Sequence, residues 1–213
     1  MKSYPSIRTI GTHLIDSGRK LPFDLSKEDW LGFDKLDGSL IRAEWDFKKG
    51  YWKFGRKAGL LDDSNPVLKE APPLIEEEYA FLDTVFRDFG WIRVVAFFEF
   101  RGKNSFAGVH EDEKHTVSLI DLAIPRKGLV DPKDLAIMDV VGGPRVVHRG
   151  PITSKDIYRI HEGKAQRVSF EGVVFKRNNR KGIREMFKTK SKAWYEKLKQ
   201  KCGKNDKLFE RLK

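Results

Sequence analysis

What is scarce in this chain excludes a good deal. Its 213 residues hold one cysteine, Cys202, so it has no internal disulfide and no cysteine metal cluster. That usage fits a reducing cytoplasm. No apolar run reaches about 18 residues, so no membrane span is expected. The opening MKSYPSIRTIGTHLIDSGRK has no apolar signal core. The commoner nucleotide and metal signatures are missing too. There is no GxxxxGK(S/T), and no GxGxxG follows a strand. HEDEKH (110–115) spaces its histidines at i, i+5 rather than i, i+4, so it is expected as a charged loop. His13, His148 and His161 share no ligand spacing, and Asp34, Asp37 and Gly38 do not fit a calcium-binding EF-hand loop. The chain has no internal repeat and no low-complexity segment.

What is there begins with charge. The formal net charge is +11. Residues 1–171 hold 27 basic and 27 acidic residues, whereas residues 172–213 hold 15 basic and 4 acidic. The whole excess therefore sits in the last fifth of the chain. A localised excess points to a polyanion partner or a phosphate-rich site; the plainer reading is a solvated basic helix.

Hydrophobic residues make up 39% of the chain, enough for one compact domain. LIRAEWDF and YWKFGRK read as strands joined by a turn at Lys48-Lys49-Gly50. Residues 73–89 read as one helix, with Pro73 in its first turn and apolar residues at near-helical spacing. WIRVVAFFEF (91–100) and TVSLIDLAI (116–124) are apolar strands, with Asp121 the odd residue in the second. DPKDLAIMDVV and TSKDIYRIHEG open on capping residues and read as short helices. VSFEGVVFKR (168–177) and GIREMFKTK (182–190) read as strands. From Ser191 the chain is basic and helical, with a break at Gly203. Strands and helices mix without strict alternation. The expected class is α+β, or a mixed α/β sheet, rather than a doubly wound fold.

Five short features share one chemical logic: Lys35-Leu36-Asp37-Gly38; Phe54-Gly55-Arg56; Phe98-Glu99-Phe100; Glu171-Gly172-Val173-Val174-Phe175-Lys176; and Lys188-Thr189-Lys190. Singly, each has a plain explanation. Asp37-Gly38 suits a strand-to-strand turn, Gly172 suits a bulge in an ordinary strand, and KTK is simply basic. Their order and spacing together are specific. The set resembles the covalent nucleotidyltransferases, the polynucleotide ligases and mRNA capping enzymes, from about residue 30 to 196. That family's motifs are a KxDG, an arginine in the following strands, an acid in an aromatic strand, an EG followed by apolar residues, and a KxK. DNA ligases and capping enzymes usually carry an arginine two residues after the motif I glycine. Here that position is Leu40, and the KLDGSLI and KTKSKAWYEKL contexts resemble phage-type RNA ligases.

The resemblance implies a nucleotidyltransferase domain, ATP-grasp-like, of antiparallel sheets flanked by helices. It would be a single adenylyltransferase domain over 1–213 with a basic helical segment over 191–213. With about 20 residues after the last motif, no separate C-terminal OB-type domain is expected. The implied reaction is ATP-dependent RNA ligation, a form of RNA repair. A lysine attacks the α-phosphate of ATP, AMP passes to a 5′-phosphate, and a 3′-hydroxyl displaces it. Lys35 would be the nucleophile. It must be neutral to attack, and Lys188, Lys190 and a metal ion would supply cations that favour loss of its proton. Lys188 and Lys190, two apart on a strand, would face the phosphates together. Glu171 is the candidate carboxylate for Mg²⁺ or Mn²⁺. Glu99 would accept from a ribose hydroxyl, Arg56 would hold phosphate or ribose, and Asp37 and Gly38 would let the backbone approach the nucleotide. Leu119 or Ile120 would wall the adenine on one side. Val173 and Val174 would wall the other, unless they are plain core.

Lys176, Arg177, Arg180, Lys181, Arg184 and Lys192 would hold RNA bearing 5′-phosphate and 3′-hydroxyl ends. Trp194 and Tyr195 would either stack on bases or pin the last helix to the core. Three readings stay open for further RNA binding: a minimal ligase that needs none, a truncated ligase, or an enzyme that borrows RNA-binding surface from a protein partner. Two other functions remain open at this point. One is a DNA ligase or GTP-using capping enzyme. The other, from a different class, is a basic RNA-binding module with an unused nucleotide site.

Overall fold

Two sheets face each other, and the chain passes from one to the other at the KLDG tetrapeptide. The computed structural model describes residues 3–18, 20–56, 59–61, 66–107, 110, 112–138 and 144–213. The first sheet holds β1 (Arg8–Thr9), β2 (Leu31–Lys35), β9 (Val146–Arg149), β10 (Gly172–Asn178) and β11 (Arg184–Lys190), in the order β1-β11-β10-β2-β9. Only β1, parallel to β11, departs from antiparallel pairing. The second sheet is antiparallel throughout. It runs in the order β5 (Gly59–Leu60), β4 (Gly50–Arg56), β3 (Ser39–Asp46), β6 (Arg93–Arg101), β7 (Thr116–Ile124), β8 (Gly128–Leu129). The helices are α1 (Thr12–Asp16), α2 (Ala71–Glu78), α3 (Phe81–Asp88), α4 (Pro132–Ile137), α5 (Ser154–His161), α6 (Lys192–Cys202) and α7 (Asp206–Leu212). The class is α+β, as expected, and none of the described helices is long and apolar enough to cross a membrane.

Alternation along the strands decides what lies inside. Ile41, Ala43 and Trp45 of β3 and Val94, Ala96, Phe98 and Phe100 of β6 point to one face, where Ile75, Leu82 and Phe86 of α2 and α3 cover them. Burying a side chain of this size contributes about 1.5–3 kcal/mol. A second core joins Trp30, Phe175 and Phe187 under the first sheet to Ile157 and Ile160 of α5.

Residues 73–89 form two helices, not the single one expected. The break falls at Tyr79, which is buried; its hydroxyl accepts the Leu119 amide proton at 3.0 Å and its ring meets Phe98 edge-on. Tertiary contact to β6 and β7 overrides the local helical preference. Pro72 and Pro73 both sit in the first turn of α2, where their missing donors cost nothing. The expected turn before Gly50 is present, with Gly50 at φ +67°, and α6 ends at Gly203, φ +55°. α5 opens on a capping box between Thr153 and Asp156. Of the helix expected over 131–141, residues 132–137 are helical and 139–141 lie outside the described residues, as does Glu111 of the expected charged loop.

Candidate active site

The pairing register gathers the motifs. Gly172, the first residue of β10, stands between Lys35 at the end of β2 and Lys190 at the end of β11. Neighbouring strands lie about 4.8 Å apart, so the carboxylate of the preceding residue, Glu171, reaches both lysines. Its Oε1 lies 2.8 Å from Lys35 Nζ and 3.0 Å from Lys190 Nζ. Gly172 makes no bulge, contrary to the plain reading of it; its register runs unbroken on both sides. It is glycine because φ is +143° and a Cβ would lie 2.1 Å from the Thr189 carbonyl oxygen.

Asp37-Gly38 is not a hairpin turn either. β2 and β3 do not pair, and the dipeptide carries the chain between sheets. Gly38 has an ordinary φ, but a Cβ there would come 2.3 Å from the Phe100 carbonyl oxygen. The close approach is thus to the backbone of β6. It lets the Gly38 N–H donate to the Glu99 carboxylate. Asp37 is buried and accepts the Ala107 N–H at 2.9 Å. Burial and then Glu171 raise its pKa.

A cleft of about 650 Å³ opens between the sheets. Lys35, Gly38, Arg56, Glu99, Ile120, Val174, Lys176 and Lys188 are among its lining residues. Two expected wall residues are not. Leu119 is fully buried in the core beneath the second sheet, and Val173 is buried with Trp30 and Phe175. Each is one residue out of register with the cleft, and a step of one along a strand reverses the face. Ile120 and Val174 occupy the cleft faces instead.

Electrostatically, the site corrects one expectation. Burial pulls the Lys35 ammonium pKa down, but Glu171, Glu99 and Asp37 together outweigh it, so the pKa is raised. Carboxylates, not Lys188 and Lys190, dominate around Lys35, which is held protonated. Lys190 behaves differently. Its burial, with Lys35 and Lys188 nearby, brings it down to about 8 against the opposing pull of Glu171. Its ammonium lies 3.5 Å from the Trp194 ring centre. Burial raises Glu99 to about 7, with Glu171 and Asp37 adding to the rise and Lys35 opposing it.

Among the described residues no group of three or more histidine, cysteine, aspartate or glutamate side chains is placed to hold a metal ion. Mg²⁺ usually takes one or two carboxylates and completes its shell with water and substrate phosphate. Glu171, a buried carboxylate 2.8 Å from the cleft-lining Lys35, offers the hard oxygen that mode requires.

The six expected RNA-binding residues divide. Lys176 is 2% exposed; its ammonium donates to the Ile120 carbonyl at 2.6 Å and pairs with Asp121 at 3.0 Å. Arg184 reaches the same Asp121 oxygen at 3.1 Å. Arg177 is buried between Asp29 and Glu185. These three are committed to internal ion pairs, because a buried cation needs a partner, so they do not present charge to RNA. Arg180, Lys181 and Lys192 are exposed. Trp194 is buried in the core with Leu198 and Cys202, which places it as a pin and not a base platform.

Three site-forming residues escaped the sequence. Asp121, fully buried, also accepts from the Tyr4 hydroxyl, and it ties β7 to β10 and β11 across the cleft floor. A lone acid in an apolar strand was its signal. Tyr4 had none: its ring packs on Phe97, 93 residues further along the chain. Asp34 accepts from the Ser169 amide and hydroxyl and pairs with Arg145, holding the segment that leads into Glu171.

No protein-family model and no curated protein matches the sequence. Solved structures do. A ligand-free mutant of Naegleria gruberi RNA ligase superposes with a TM-score of 0.64 at 16% identity, over 94% of this chain and 58% of that one. The same ligase with pyrophosphate gives 0.62, again at 16% identity and over 94% and 58%. A mutant with ATP and manganese gives 0.57 at 16% identity, over 82% and 52%. This chain therefore spans somewhat more than half the length of those ligases. That likeness is one of fold: two facing sheets with a cleft between them, arranged as in those RNA ligase structures.

Proposed function

We propose that this chain is the adenylyltransferase domain of an ATP-dependent RNA ligase, with Lys35 as the nucleophile. One observation carries it: Lys35, on the wall of a cleft also lined by Glu99, Arg56 and Lys188, shares a single oxygen of the buried Glu171 with Lys190. In the first step Lys35 Nζ bonds to the α-phosphorus of ATP and the bond to the β-phosphate breaks, releasing pyrophosphate. AMP then passes to an RNA 5′-phosphate, and a 3′-hydroxyl displaces it.

Each residue has a task that its position suits. Lys35 has to leave Glu171 and lose a proton before attack, because an ammonium has no lone pair. Lys188 offers positive charge to the phosphates, and Lys190 holds Glu171 in place while adding to that field. Arg56 suits phosphate or ribose. Glu99, already held by the Gly38 N–H, has an oxygen toward the cleft for a ribose hydroxyl. Ile120, Val174 and Leu40 offer apolar surface to a base. A divalent cation, Mg²⁺ or Mn²⁺, held by Glu171, would neutralise the carboxylate that keeps Lys35 protonated and would stabilise charge on the α-phosphate.

Incubation with labelled ATP and Mg²⁺, followed by denaturing electrophoresis, tests this. Wild type is expected to carry covalent label and Lys35→Ala none. No label on wild type, or equal label on the variant, sinks the assignment. Labelled GTP and nicked DNA in parallel separate the capping-type and DNA-ligase alternatives. Salt-sensitive RNA binding without any adduct would favour the binding module.

A further inference from the structure

We propose that α7 completes the nucleotide cleft, with Arg211 binding the β- and γ-phosphates of ATP and the pyrophosphate that leaves. This rests on the adenylyltransferase function proposed above. No sequence motif marks α7, which reads as the end of a basic helix. The structure brings its last residues, Arg211, Leu212 and Lys213, onto the cleft that holds Lys35, Arg56 and Lys188.

Several attachments fix α7 there. α6 starts immediately after Lys190, capped by Ser191, whose hydroxyl accepts from Trp194 N–H and donates to the Phe170 carbonyl. Gly203, at φ +55°, reverses the chain, so α7 returns toward the strand ends from which α6 left. Leu208, Phe209 and Leu212 pack on the Trp194, Leu198 and Ala107 cluster. Lys201 donates to the Ser105 carbonyl at 3.1 Å, which secures the same loop that gives the Ala107 N–H to Asp37. Leu208 and Leu212, four apart, share one helical face, and Arg211 borders it. The apolar seam therefore sets where the guanidinium can reach.

Charge accounting shows what that guanidinium is for. A triphosphate brings about four negative charges, and a leaving pyrophosphate gathers more as its bond breaks. Of the cations lining the cleft, Lys176 is committed to Asp121, and Lys35 is the nucleophile. Lys190, beside the cleft, shares Glu171 with Lys35. Lys213 lies 2.6 Å from Glu210 and is partly committed as well. Arg56 and Lys188 stand on the two sheets, at β4 and β11, and Arg211 stands on a third element. Its fork of donors suits two phosphate oxygens at once. The other phosphate source is the RNA 5′-end, which enters the same cleft only after pyrophosphate has gone.

The two sources separate by step. Adduct formation on Lys35 is measured with labelled ATP. Sealing is measured separately with RNA already carrying a 5′-adenylate, which needs neither ATP nor pyrophosphate release. Arg211→Ala is expected to slow adduct formation roughly tenfold, as for removal of one charge-assisted hydrogen bond. Arg211→Lys should recover part of that, and sealing of adenylated RNA should stay at the wild-type rate. Inorganic pyrophosphate should inhibit wild-type adduct formation more strongly than it inhibits the alanine variant. Equal slowing of both steps, slowing of sealing alone, or no effect on either overturns the proposal. An unchanged thermal midpoint in Arg211→Ala keeps a folding defect from imitating the result. If wild type forms no adduct, it is the adenylyltransferase function that fails.

Discussion

Lys35 Nζ lies 2.8 Å from Glu171 Oε1, and that contact holds the proposed nucleophile in its protonated form. Burial alone would pull the ammonium toward neutrality, yet Glu171, Glu99 and Asp37 keep its pKa raised. The pair is a resting state in which the lysine waits for positive charge to occupy the carboxylate. A lysine buried without those acids would be reactive toward any electrophile that entered.

The first prediction follows from the sign of that shift. Without ATP or metal, Lys35 should react with an amine-directed reagent only at a higher pH than an ordinary buried lysine. Glu171→Gln removes the largest raising influence and leaves burial, so the reaction should begin at lower pH. The same variant should lose adduct formation with ATP, since the carboxylate proposed to hold the metal is gone. Mass spectrometry of the Lys35 peptide across pH reads the shift, and identical profiles would refute the coupling.

Glu99 gives a prediction about stability. Its pKa is raised to about 7 in the folded protein, against about 4.3 when free. Below the free value both states are protonated and folding is unaffected. As pH rises toward 7, the unfolded chain ionises while the folded one resists, so stability falls across that window. Above 7 the full cost is present, on the order of 3 kcal/mol. Glu99→Gln should therefore gain stability over wild type between pH 4 and pH 8, while losing adduct formation through the proposed ribose contact. Urea unfolding at both pH values measures the difference, and a gap that does not grow with pH argues against a buried acid here.

Gly38 is expected to tolerate no side chain, for a reason unrelated to its φ. A Cβ would lie 2.3 Å from the Phe100 carbonyl oxygen, and backbone cannot step aside as a flexible side chain does. Gly38→Ala should cost about 1–3 kcal/mol or more and should displace Lys35 relative to Glu99, lowering adduct formation beyond what the stability loss explains. Gly50→Ala is the comparison. Nothing lies within 4 Å of its Cβ position, but φ is +67°, so it should cost about 1 kcal/mol and leave adduct formation intact.

Those glycines also show how far the sequence could be read. KLDG, EGVVFK and KTK were legible as chemistry because the residue types a phosphoryl-transferring lysine needs recur in a fixed order. The strands WIRVVAFFEF and TVSLIDLAI were legible because strong apolar patterning has little other explanation. The face of each wall residue was not. Leu119 and Ile120 are both apolar neighbours, and only the pairing of β7 with β6, with its shift between Phe97 and Phe98, determines which one looks into the cleft. β2 escaped as well, because LGFDK is short and carries a charge whose partner, Arg145, lies 111 residues away. Lys176, Arg177 and Arg184 looked like an RNA-binding run because sequence shows charge but not the acid that answers it. Asp121 and Glu185 come from other strands and Asp29 from the turn before β2, and burial makes that pairing obligatory.

That distinction is testable on RNA. Arg180, Lys181 and Lys192 are exposed, whereas Arg177 is held by Asp29 and Glu185. Replacing the three exposed residues together by alanine should weaken RNA binding and leave the unfolding free energy within about 0.5 kcal/mol of wild type. If each meets one phosphate, the dependence of log affinity on log salt should become shallower by about 0.7 for each phosphate no longer neutralised on single-stranded RNA. Arg177→Ala should do the reverse. It strands Asp29 and Glu185 and uncovers the Trp30 ring, over which the guanidinium lies at 5.0 Å, so stability should fall while the salt dependence stays as it was. Fluorescence titrations at several salt concentrations, beside urea unfolding, separate the two behaviours. A shallower slope for Arg177→Ala would mean that this residue leaves its ion pairs to meet RNA, and its role as a strut would then be a resting position, as the Lys35 contact with Glu171 is.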